Sequence, residues 1–343
     1  MKKIILAAFL VSSLSSQAQL GGLINKVKGV GKGGKLELYE EEKINLEVVT
    51  KYAGQLMFSN DDFERELPES KYIKSYTLGD NLALRAWLPN SPVNMMMQQL
   101  LESGVKAKEI NATRDSFDGQ SRVMLFMYLD GVKISNTSYA WDNEQKPLLT
   151  VPSVRADFHD STDKNYFGKS LYKDLLQKQD MLTPGKHKLK IEVVPRKTFG
   201  LGADFNFKPI AVGEIDLIVP AQLKLNESDC FPKKAISDPK LEAEAMRAMK
   251  KFYKNGAPNA FKVILTQHDM KIVRQEYTGV ILRKSFNATI VFKKGDEVWY
   301  DWYTFHKEYD GSKYEEAIVY ANADISTLDE GKRVNKECLK FLK

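Results

Sequence analysis

The chain has 343 residues, 43% of them hydrophobic, with 51 basic and 45 acidic side chains and a formal net charge of +6. This is the composition of a globular protein with room for two domains, not of a disordered or multiply membrane-spanning one. The charge is uneven: residues 1–35 hold six lysines and no acid, residues 36–229 balance at −5 and residues 230–343 at +5. The folded part therefore presents no concentrated basic footprint, which argues against nucleic acid as a partner.

Lys2 and Lys3, an apolar run over residues 4–14 and a small polar stretch ending at Gln19 reproduce the three regions of a secretory signal. The apolar run is too short to anchor in a bilayer. No later segment is apolar enough to span a membrane, so residues 1–19 are expected to be a signal peptide on a bacterial protein. The mature chain is expected to be exported: periplasmic, cell-surface associated or secreted. Residues 20–35 contain six glycines and read as a flexible leader, because glycine erodes any helix its lysines and aliphatics would form.

Residues 36–225 read as a β-rich domain. Strand patterns occur over residues 55–58, 72–77, 82–88 and 148–154. Residues 123–129 and 132–134 flank Asp130-Gly131, a pair that supplies the positive backbone angles of a two-residue hairpin turn. Leu189, Ile191 and Val193 alternate with polar residues and should face inward, and residues 211–220 make a last strand. Helical insertions are expected over residues 95–102 and 169–179. The Pro184-Gly185-Lys186-His187 turn that opens the penultimate strand resembles the closing strands of immunoglobulin-like and C2-like β-sandwiches. The resemblance spans residues 50–220 and implies an antiparallel sandwich.

Residues 226–343 read as an α+β domain. Ser237 or Asp238 caps a helix that has Pro239 in its first turn, with Leu241, Ala245, Ala248, Met249 and Phe252 at helical spacing. Strands are expected over residues 261–267, 270–277, 280–283, 286–293, 298–305 and 314–321. One helix followed by a curled antiparallel sheet resembles the cystatin-like and NTF2-like layout over residues 237–325. Such folds serve as pockets, small enzymes or interaction modules, so the resemblance does not choose a function.

The densest aromatic run, residues 298–306, places Trp299, Tyr303 and Phe305 on one strand face and Val298, Tyr300, Trp302 and His306 on the other. Such a strand must be covered on both sides, or its second side must be a contact surface. Tyr300, Trp302 and His306 are therefore candidate contact residues for a ligand, a glycan or an envelope protein. Met95, Met96 and Met97 form a second candidate surface, because thioethers adapt to varied partners. Asp157, Asp160 and Asp163, with His159 and Asn165 nearby, are oxygen-rich enough to consider for a cation, although they lack the glycine and closing glutamate of a calcium loop. Cys230 and Cys338, the only cysteines, are expected to close a disulfide in an oxidising compartment.

No nucleophile elbow or phosphate-cradling glycine loop occurs, and no cofactor motif is present. His187 and His268 read as solvated. The leading expectation is a non-enzymatic binding protein. The alternatives are a glycan-binding protein, or a small hydrolase or lyase using His306 with Asp301 or Glu276 in the concave sheet.

Overall fold

The structure, a computed structural model, describes residues 34–43, 46–62, 67–139, 146–158, 166–253, 259–320 and 332–342. The expected signal peptide and all but the last two leader residues lie outside these. The chain is mainly β, 37% strand against 25% helix, and its backbone clusters into two compact units. One unit comprises Met1–Tyr172 with Lys186–Ile218, and the other Lys173–Gly185 with Val219–Lys343.

In the first unit the elements are α1 (Leu46–Tyr52), β1 (Leu56–Ser59), β2 (Ser75–Thr77), β3 (Ala83–Trp87), α2 (Pro92–Glu102), α3 (Ala107–Ala112), β4 (Ser121–Leu129), β5 (Val132–Tyr139), α4 (Lys146–Thr150), β6 (Ser153–Asp157), α5 (Tyr166–Leu176, which passes into the second unit at Lys173), β7 (Gly185–Lys197) and β8 (Ala211–Val219). They form a three-stranded sheet, β1-β3-β6, and a five-stranded sheet, β2-β8-β7-β4-β5. The larger sheet is antiparallel where β4 meets β5 and β7, but its edge strand β2 lies parallel to β8, so the antiparallel arrangement expected of this unit holds only in part. Asp130 and Gly131 both have positive φ, 48° and 83°, so the turn that joins β4 to β5 has the backbone its sequence demands. Leu189, Ile191 and Val193 of β7 are buried, as are Val123, Leu125, Met127 and Leu129 of β4. The two sheets approach closely where β8 passes β1: a Cβ at Gly213 would collide with the Leu56 carbonyl, so only glycine fits.

Two expectations for this unit are corrected. Residues 148–154 are not one strand, because α4 occupies their first part and β6 begins at Ser153. A short buried apolar run does not distinguish a helical turn from a strand. His187 is not solvated; its Nδ1 lies 2.7 Å from the Asp130 carboxylate. That contact and a bond from the Lys188 amide hold the Asp130 carboxyl below its usual range.

The second unit adds α6 (Glu227–Cys230), α7 (Pro239–Phe252), β9 (Ala260–Leu265), β10 (Lys271–Arg274), β11 (Ile281–Lys294), β12 (Glu297–Glu308), β13 (Ile318–Val319) and β14 (Lys332–Arg333), and ends in a 3₁₀ turn over Lys336–Leu342. The Asp238 carboxylate caps α7 by accepting the Lys240 and Leu241 amides, as read from sequence. β11 and β12 form a long hairpin around which the sheet is built. β10 and β9 pair with successive parts of β11, and β13 and β14 pair with successive parts of β12. The two strands expected over residues 280–293 are the single strand β11, and the strand expected over residues 314–321 contracts to β13.

α7 lies on one face of this sheet. Leu241, Ala245, Ala248 and Met249 pack with Phe286, Ala288, Ile290, Phe292, Tyr303 and Phe305 in one buried cluster. At its edge Glu244 is buried and takes the Lys307 ammonium at 2.6 and 2.7 Å and the Ala317 amide at 2.7 Å. This carboxylate ties the helix to β12 and to the approach to β13. Removing one member of a buried pair strands the other, which costs about 3–5 kcal/mol. Glu244→Ala should therefore lower unfolding stability by about 3 kcal/mol in urea titrations, and Glu244→Leu combined with Lys307→Met should recover most of that loss. A double variant no better than Glu244→Ala would show that the loss comes from the Ala317 amide and not from a stranded Lys307.

Candidate functional site

The second face of the β11–β12 sheet carries the other half of the aromatic run. Strand register places Ser285 opposite His306, Asn287 opposite Thr304, Thr289 opposite Trp302 and Val291 opposite Tyr300, and directly paired residues project to the same face. This face has two parts with different fates.

Around Tyr300 it is closed. Phe231, which follows the last residue of α6, meets the Tyr300 ring at 6.4 Å between centroids, and Tyr300, Val291 and Phe231 are all buried. Cys230 and Cys338 are joined in a disulfide with Cα atoms 5.6 Å apart, which binds α6 to the C-terminal 3₁₀ turn. Asn335, just before that turn, donates to the Leu176 carbonyl, and Gln179 accepts the Lys336 amide. The space left between Tyr300, the disulfide and Asn335 is about 10 Å³, too little for any ligand larger than water. Tyr300, read as a contact residue, is thus a core residue, because a stapled cover lies over it.

Around Trp302 the face is open. Trp302 is 41% exposed, Tyr320 41% and Ile318 50%. The Trp302 ring stands edge-on to Tyr300, 5.5 Å away at 86°, so the buried ring holds the exposed one upright. Thr304 donates to the Asn287 side chain at 2.9 Å, which places a polar pair beside the indole. Ile318 and Tyr320 were not read as contact residues; their signal, alternation in a strand of only two paired residues, is too weak to see in sequence.

His306 lies beneath this surface, stacked on Tyr320 with centroids 4.2 Å apart and only 6% exposed. Burial and then the nearby Arg283 guanidinium push its pKa below 6.5, against a smaller opposing pull from Glu308. Neither acid considered for it is close by construction: Asp301 pairs with Ile290 on the helix-covered face, and Glu276 sits exposed in the turn between β10 and β11.

Met95, Met96 and Met97 do not form a surface. All three are buried in α2, where Pro92, Val93 and Leu100 are buried too; a helix apolar on most of its circumference is a core helix. Asp160 and Asp163 lie outside the described residues, as does the side chain of Asp157. Among the described residues no group of three or more potential metal ligands converges, and no helix is long and apolar enough to cross a membrane.

No protein-family model matches the chain, and no curated protein matches it. Function is therefore argued from the surfaces themselves.

Two outcomes follow. A histidine whose folded pKa is depressed binds fewer protons when folded, so stability is full above pH 6.5 and falls as pH drops below it. His306→Phe should flatten that fall, read as the urea midpoint against pH; an unchanged slope would show that His306 does not titrate with folding. Replacing both Cys230 and Cys338 by serine opens a 108-residue separation and should cost about 4–5 kcal/mol, with greater acrylamide quenching of tryptophan emission as the cover over Tyr300 loosens.

Proposed function

We propose that this is an exported, non-enzymatic binding protein of a bacterial envelope, and that the open half of the second sheet face is its contact surface. One observation carries the reading: Trp302, Ile318 and Tyr320 remain exposed on a face whose other half is sealed by a disulfide-tied cover. Indole and phenol rings held by packed neighbours give large contact area at little entropic cost, which is why such side chains concentrate at interface centres. A disulfide and a signal-like N-terminus support export.

α7 packed on an antiparallel sheet supports the cystatin-like or NTF2-like reading of the second unit, and two sheets in close approach support a sandwich of immunoglobulin-like or C2-like kind in the first. A saccharide as ligand is favoured by the hydrogen-bonded pair Thr304 and Asn287 beside the indole, since sugar rings combine an apolar face with hydroxyls. The hydrolase or lyase reading has less support, because His306 is buried beneath Tyr320 and Asp301 faces away from it.

Trp302→Ala with Tyr320→Ala should leave the melting temperature within a few degrees of the parent, since both rings are exposed, and abolish retention of envelope protein or cell-wall polysaccharide on the immobilised chain. A variant that melts normally and still retains the same species would exclude this face, and a collapsed melt would show that both rings are core.

A further inference from the structure

Residues Lys35 to Glu41 run extended across α2 and α3 without belonging to any sheet. Side chains hold this arm in place of a neighbouring strand. Asn111 accepts the Glu37 amide at 3.0 Å and donates to the Lys35 carbonyl at 2.9 Å. Asn94, only 1% exposed, accepts the Tyr39 amide at 2.8 Å and donates to the Tyr39 carbonyl at 3.0 Å. Arg114 donates to the Leu38 carbonyl at 3.2 Å and stacks over the Tyr39 ring, while the Tyr39 hydroxyl donates to the Arg114 carbonyl.

Three arm side chains add selectivity to this backbone reading. Leu36 is buried and Tyr39 lies under the guanidinium. The Glu41 carboxylate accepts the Ser91 amide at 2.7 Å at the head of α2, where the helix dipole favours an anion. It also takes the second Asn94 proton. Paired amide-to-backbone bonds of this kind reproduce what an adjacent strand offers to an extended peptide. They act on main-chain groups that every peptide shares.

We propose that α2, α3 and Arg114 form a binding groove for extended peptides, and that the arm is its tethered occupant. The ligand it would take has an aliphatic anchor, a tyrosine three residues later and a carboxylate two residues beyond that. The arm shows that this pattern fits, and its short tether makes it a strong competitor in cis, because a linked ligand acts at an effective concentration in the millimolar range. A free peptide therefore enters when the arm is severed or drawn away.

The test uses the full chain with a protease site inserted after Lys43, so that folding precedes cleavage. Fluorescein-labelled peptide of residues 35–42 is added to cut and uncut protein and followed by anisotropy. The groove predicts saturable uptake by the cut protein, at least roughly tenfold weaker uptake by the uncut protein, and roughly tenfold weaker binding of peptides bearing Leu36→Asp or Tyr39→Ala. Three results would overturn it: the cut protein keeps its own arm through gel filtration without exchange, it releases the arm but takes up no peptide, or it unfolds when the arm leaves.

Discussion

A strand with aromatic side chains on both faces has to be covered on both or leave part of one as a contact surface, and β12 imposes that demand on the whole second unit. Trp299, Tyr303 and Phe305 project one way, and Tyr300, Trp302 and His306 the other. One amphipathic helix satisfies the first side. Apolar burial at roughly 25 cal/mol per Å² makes that arrangement self-supporting, because α7 and the sheet each supply a continuous apolar surface. Among the described residues the second side has no such helix. It is covered by short irregular pieces, α6 and a 3₁₀ turn, which have little intrinsic stability of their own.

The two covers are accordingly fastened by different means. α7 is held by its own packing and by charge: Glu244 reaches Lys307 inside, and Glu316 lies between Arg247 and Lys251 outside. Those two cations hold the Glu316 carboxyl down at about 2, although exposed pairs of this kind add little to stability. The second cover is fastened covalently. A crosslink acts chiefly on the unfolded ensemble, and it suits a cover too small to earn its place by buried area. Among the described residues the cover stops short of Trp302, and an aromatic residue stays half exposed beside others that are sealed.

Much of this layout could be read from the residues. Period-two alternation assigned both faces of β12 correctly, because alternation is a property of the backbone and needs no knowledge of neighbours. Asp238-Pro239 fixed the start of α7 and Asp130-Gly131 fixed a hairpin, since both signals are local. Which half of the second face would be covered was not legible: that depends on Phe231 and Cys338 arriving from positions remote in sequence. Met95, Met96 and Met97 were misread for a related reason. Thioether side chains suit adaptable surfaces and irregular cores equally, and only burial separates the two.

Asn94, Asn111 and Arg114 drew no notice in the sequence because nothing about an isolated asparagine on a helix signals a partner more than fifty residues away. Their placement nevertheless constrains how the arm can behave. A buried amide deprived of its partners costs about 1–3 kcal/mol, and Asn94 would lose three if the arm simply left. Yet the arm is itself part of Asn94's cover, so on release water could replace those bonds on both sides, while the burial of Leu36 would be forfeited. Exchange of one extended chain for another keeps that burial and those bonds, and so costs less than release.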